Sequence, residues 1–180
     1  MEWLLDGTDT SIWDRLSFFS SNGLLIVGTI ILAIAAFAFG RRAGAAVVIT
    51  TLFAWALSAF VSGLVGRVPP REGIEGGSFP SVEVVQTGVF WGLIVMLLWW
   101  VGVPKLVWQI GVELSIVITL LVAVRLIVAG EIWPSDAVGS AIVIALALIT
   151  AAAVLEANPP PILTRRAAGT AEGPEAVAAA

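Results

Sequence analysis

Apolar residues along this chain fall into five long runs separated by short polar stretches. A helix needs about 20 mostly apolar residues to cross a bilayer. The runs from about Gly23 to Gly40, Gly44 to Gly66, Val82 to Val103, Leu106 to Ala129 and Asp136 to Leu155 meet or approach that length. Residues Thr10 to Ser20 carry Ile12, Trp13, Leu16, Phe18 and Phe19 but are too short and too polar to span. They predict an interfacial helix with Trp13 and Arg15 at headgroup level. From Ala157 onward come Pro159 to Pro161 and then small and charged residues, a composition that predicts disorder. The expected organisation is an interfacial helix over residues 1–22, a transmembrane bundle over 23–156 and a disordered cytoplasmic tail over 157–180.

The two long polar connections, Arg67 to Ser81 and Gly130 to Ser135, lie on the same side of a five-helix topology. The opposite side receives Arg41, Arg42, Lys105, Arg165 and Arg166, whereas acidic residues outnumber basic ones in the polar loops and N-terminal stretch. Positive charge in short loops marks the cytoplasmic side. The polar loops are therefore expected outside, and the C-terminus inside. Trp99, Trp100 and Trp108 fall near one interface, and Trp3, Trp13 and Trp133 near the other.

Composition narrows the chemistry. The 180 residues are 59% hydrophobic, and the mean hydropathy of +1.02 lies far above that of soluble domains. Without cysteine, disulfides and thiolate chemistry are excluded. Without histidine, so is every mechanism that needs an imidazole. A net charge of −4, with nine basic residues that form no stripe, argues against nucleic acid. No cofactor and no metal are expected. Alanine- and valine-rich helices suggest a GC-rich bacterial genome, and hence a bacterial plasma membrane. The first apolar run follows an acidic stretch (Glu2, Asp6, Asp9, Asp14), not the basic region of a signal peptide.

Three blocks at the helix ends read like a site. The first runs from Ser62 through Arg67 to Pro69-Pro70, the second is Ser78-Phe79-Pro80-Ser81-Val82-Glu83, and the third runs from Arg125 through Trp133-Pro134-Ser135-Asp136. Their order and helix placement, over roughly Phe60 to Ala145, resemble the type-2 phosphatidic acid phosphatase and haloperoxidase superfamily. Its members cradle a phosphate with a lysine, two arginines and a Pro-Ser-Gly-His turn, and use a second histidine as nucleophile. In this chain Ser62 falls at the lysine, Pro69 at the first arginine, Val82 at the glycine and Glu83 at the turn histidine. Ile132 falls at the nucleophile. Pro70, Pro80, Ser81 and Asp136 match. Arg125 lies eleven residues before Asp136, where the family spacing of ten would select Leu126.

The resemblance implies an all-α bundle of the phosphatase type whose catalytic histidines are gone. The expected role is that of a pseudoenzyme in the membrane, which binds a lipid phosphate or acts as a membrane subunit. Two alternatives stand beside it: an active phosphatase on phosphatidic acid or a polyprenyl pyrophosphate, and a purely structural or transport-accessory membrane protein. If there is activity, Glu83 and Asp136 are the candidate catalytic groups. Ser81, Arg67, Arg71 and Arg125 are the candidate phosphate-binding remnant, with Arg67 and Arg71 equally readable as part of a solvated loop.

Partners are membrane lipids, with a lipid phosphate headgroup, a membrane protein or a second copy of the chain as the specific options. Glu83, Gln86 and Thr87 share a helix face at i, i+3 and i+4, as a polar lining or as glue between helices. A Glu83–Arg125 ion pair is expected to join the loops. Glu113 lies deep in a spanning segment with Gln109 one turn earlier; it reads equally as a contact with another helix or a proton site, and as a structural polar residue, protonated or hydrogen-bonded, that faces the bundle. Gly63, Gly66, Gly139 and Ser140 are expected at close helix contacts. Asp136 is expected to cap its helix.

Overall fold

The computed structural model describes residues 22–71 and 77–156. The expected interfacial helix before Asn22 and the tail from Ala157 lie outside the described residues. Those residues form an all-helical bundle of five elements: α1 (Asn22–Phe39), α2 (Arg41–Val65), α3 (Val82–Val101), α4 (Lys105–Val128) and α5 (Pro134–Glu156). Helices α2 to α5 are each long and apolar enough to cross a membrane. Helix α1 is apolar but shorter, about 27 Å at 1.5 Å per residue. Five spanning segments were expected; four meet the length by themselves.

Helix α2 begins three residues before the expected Gly44, at Arg41, because Gly40 alone makes the connection to α1. Helix α3 is central. It packs against each of the other four helices, whereas α4 rests chiefly on α3. The main core joins Ala43, Ala46, Val47 and Ala54 of α2 with Val85, Val89 and Leu93 of α3 and Val143, Ala147 and Ala151 of α5. Side-chain size is distributed as lipid demands. Small residues line the buried contacts, while Ile34, Leu52, Trp55, Leu64 and Ile149 point outward and are more than half exposed. Apolar side chains gain nothing from leaving lipid, so helices associate by close approach over small residues.

Glycines show where that approach is tightest. A Cβ on Gly88 or Gly92 of α3 would overlap Ile144 or Leu148 of α5, a seam that sequence reading missed. Gly139 lies flush under the Phe79 ring, so its close contact is with the loop before α3 and not with a neighbouring helix. Gly63 and Gly66 do not serve that purpose. Gly63 has open space around it, and Gly66 ends α2 at φ 56°, with its N–H bonded to the Ser62 carbonyl at 2.9 Å. That left-handed cap turns the chain sharply out of the helix and delivers Arg67 over the bundle end.

The two glycine classes predict opposite behaviour. Gly139→Ala forces Phe79 from its seat and should cost about 1–3 kcal/mol. Gly63→Ala should be neutral or stabilising by up to about 1 kcal/mol. Thermal unfolding of the purified protein in detergent measures both; equal losses would contradict the packing described.

Candidate functional site

The polar loops meet at one end of the bundle. The Arg71 N–H donates to the Gly130 carbonyl at 3.0 Å, and the Ser78 N–H donates to the Arg67 carbonyl at 2.9 Å. The centre of the contact is an ion pair. Arg67 Nη1 lies 2.9 Å from Asp136 Oδ1 and 2.7 Å from Ser135 Oγ. The Asp136 side chain is fully buried, while that of Arg67 is 39% exposed. The guanidinium carbon sits 5.4 Å from the centroid of the Trp133 ring, and the Trp133 indole N–H donates to the Val68 carbonyl at 3.1 Å. Trp133 thereby covers the pair and ties its own turn to the first loop.

Local sequence sets this geometry. Pro134 occupies the first position of α5, where its missing N–H costs nothing. Asp136, two residues later, accepts the Trp133 backbone N–H on Oδ2 at 2.9 Å. This is the carboxylate half of a capping box. The expectation that Asp136 caps α5 therefore holds in a modified form: it closes the helix start from its third position and not from the flanking one. One oxygen holds the helix start and the other holds Arg67.

Ser81 caps α3, its Oγ accepting from the Val84 N–H at 3.4 Å. Ser140 stitches the two helix starts together. Its Oγ accepts from the Ser81 N–H at 2.9 Å and donates to the Asp136 carbonyl at 2.7 Å. Sequence reading noted Ser140 only as a small residue, although its position four residues after Asp136 matches a back-bond to the helix carbonyl. Neither Trp133 nor Ser135 was singled out for a contact with Arg67. A tryptophan beside Pro134-Ser135-Asp136 was the available signal.

The second ion pair joins α3 to α4. Arg125 Nη2 lies 3.4 Å from Glu83 Oε1, with both side chains mostly buried. The single face expected for Glu83, Gln86 and Thr87 divides. Glu83 meets α4, Gln86 lines a cleft against α1 and α2, and the fully buried Thr87 donates back to the Glu83 carbonyl at 2.8 Å. The Arg71 side chain is exposed. Ile132 and Leu126 are 5% and 2% exposed and pack with Val84, Val122 and Ala123 in a separate apolar cluster. The positions where the family resemblance would call for a nucleophile and an arginine are thus occupied by hydrocarbon. Glu113 and Gln109 stand on the outer face of α4, exposed among Leu106, Ile110, Val117 and Leu120.

Among the described residues no cluster of three or more acidic or other metal-ligating side chains could hold a metal ion. No family model, no curated protein and no solved structure matches this chain.

The ion pairs make an asymmetric prediction. Arg67→Leu leaves a buried carboxylate held only by the Trp133 N–H, which should cost about 3 kcal/mol. Asp136→Asn keeps an acceptor for that N–H and leaves an arginine able to reach water, so it should cost about 1 kcal/mol. Denaturant or thermal unfolding in detergent compares the two, and a larger loss for Asp136→Asn would contradict the assignment. In the same assay Glu83→Gln should lose up to about 1 kcal/mol, because its pair is longer and partly accessible. Behaviour identical to wild type would deny that pair a structural role.

Proposed function

We propose that this chain is a non-catalytic, multi-pass membrane protein that keeps the frame of a type-2 phosphatidic acid phosphatase and serves as a membrane subunit for another chain. It resides in a bacterial plasma membrane with the loop end outside and the C-terminus in the cytoplasm. One observation carries the reading: both candidate acids are paired with candidate cations, Asp136 with Arg67 and Glu83 with Arg125, while the third cation, Arg71, is exposed to solvent. Phosphoryl transfer needs cations turned toward the developing charge and a nucleophile aimed at phosphorus. Here Asp136 has both oxygens committed and no exposure, and the nucleophile position holds the packed Ile132. The convergence of Ser81, Arg67 and Asp136 at one bundle end supports the ancestral frame. Their mutual bonds support a structural use of it.

The partner contact is the outer face of α4. A carboxylate in the hydrocarbon region is expensive unless another group satisfies it. Glu113 lies eight residues into α4, about 12 Å along its axis from Lys105, and Gln109 adds a second hydrogen-bonding group one turn away. A transmembrane helix that presents a basic or donor side chain at that depth matches this face.

The test places a photoreactive residue at Ile110 or Val117 in membranes. A discrete cross-linked partner that Glu113→Leu reduces at least fivefold is the expected result; cross-linking indifferent to Glu113→Leu counts against the subunit role. The purified chain should release no phosphate from phosphatidic acid or a polyprenyl pyrophosphate above a mock preparation. Release that Glu83→Ala or Asp136→Ala abolishes would establish an enzyme instead.

A further inference from the structure

Only Val122, Ala123 and Leu126 of α4 are buried among the described residues, all near its C-terminal end. The rest of the helix leans on α3 along one side and is open on the other. Leu106, Ile110, Glu113, Val117, Leu120 and Val124 stand exposed on that open side. Its aliphatic members need no cover, because lipid is itself an apolar solvent. Glu113 differs. It makes no ion pair and no side-chain hydrogen bond among the described residues, and neither does Gln109 one turn earlier. A carboxyl group about 12 Å along a spanning helix from its start calls for a polar partner.

Spacing defines the shape of that partner. The six residues recur at alternating intervals of four and three, the repeat by which two helices pack side by side with a left-handed twist. The seam covers about 27 Å, close to the roughly 30 Å of hydrocarbon in a bilayer. A single polar residue within such a seam fixes its register, since any slip would set that residue against hydrocarbon. The partner is therefore a spanning helix with a polar group at the depth of Glu113.

A second copy of the chain supplies that group. Insertion gives every copy the same orientation, so two copies related by an axis along the membrane normal carry Glu113 at one depth. A carboxyl that keeps its proton both donates and accepts, and an amide does the same. Two Glu113 carboxyls facing across the axis can satisfy each other, and each Gln109 amide lies within i, i+4 reach of its own Glu113. Every described basic residue sits in a loop or within one turn of a helix end, so the second copy meets Glu113 with carboxyl and amide and not with a cation. Because α4 packs chiefly against α3, no other described helix stands in the way of the two seams.

We propose that α4 pairs in parallel with α4 of a second copy of this chain, Glu113 against Glu113. The pairing rests on the reading of the α4 face as a subunit contact and names its occupant.

The chain has no cysteine, so a single introduced one reports on a single position. On mild oxidation in membranes, Ile110→Cys, Val117→Cys and Val124→Cys should each give a disulfide-linked dimer, because a two-fold seam brings like positions within disulfide range. Ile34→Cys on α1 and Ile149→Cys on α5, at least as exposed, should give at least fivefold less. With Val117→Cys as reporter, Glu113→Leu should reduce the dimer at least fivefold, and Glu113→Gln should hold it within twofold because an amide keeps both hydrogen-bonding roles. Equal dimer from Ile34→Cys or Ile149→Cys, or none from any seam position in folded protein, would overturn the proposal. So would a loss with Glu113→Gln as large as with Glu113→Leu, which marks a cationic partner. Photo-cross-linking at Ile110 separates the two readings. A Glu113-dependent product with a different chain, without the disulfide dimer, keeps the subunit role and overturns only the second copy; no product by either method removes both.

Discussion

The buried Asp136 carboxylate constrains everything at the loop end of this bundle. A charge without solvent exposure survives only if each oxygen finds a strong donor. One oxygen takes the Trp133 N–H and sets the start of α5; the other takes Arg67 and fixes the exit of the chain from α2. Ser140, one turn along α5, then reaches the start of α3 through Ser81. Three helix ends are thus oriented by a group of residues whose polar atoms satisfy one another.

Below that layer the bundle is held by shape. Alanine, glycine, serine and threonine share the contacts among α2, α3 and α5 with valines and Leu93, while isoleucine, tryptophan and most leucine side chains of α2 point outward. Leucine and isoleucine in lipid are already in an apolar solvent, so dispersion contacts at close range drive association. Polar groups also stand on the periphery: Glu113 is exposed on the outer face of α4, away from the contacts among the described helices.

The contrast between the two arginine–carboxylate pairs illustrates how position decides worth. Arg67–Asp136 is short, has one fully buried partner and is reinforced by Ser135 and Trp133. Arg125–Glu83 is longer and both side chains are partly accessible. Similar chemistry thus yields a determinant of loop geometry in one case and a modest tie between α3 and α4 in the other.

The sequence by itself determined the all-helical membrane class, the approximate bounds of each helix and the meeting of the two polar loops at one end. Long apolar runs in a chain without cysteine or histidine leave few alternatives, because only structures that satisfy their own backbone survive in lipid. It also contained the Glu83–Arg125 pair, whose members stand at adjacent helix ends. Tertiary structure alone decided the rest. Arg67 lies 69 residues from Asp136, and nothing local shows that a loop arginine will find a buried carboxylate. Helix rotation about the axis separated Glu83 from Gln86 and directed Gln86 into the α1–α3 cleft. These helices carry no strong apolar stripe, so the face each presents depends on which neighbour's small residues and glycines permit the closest approach.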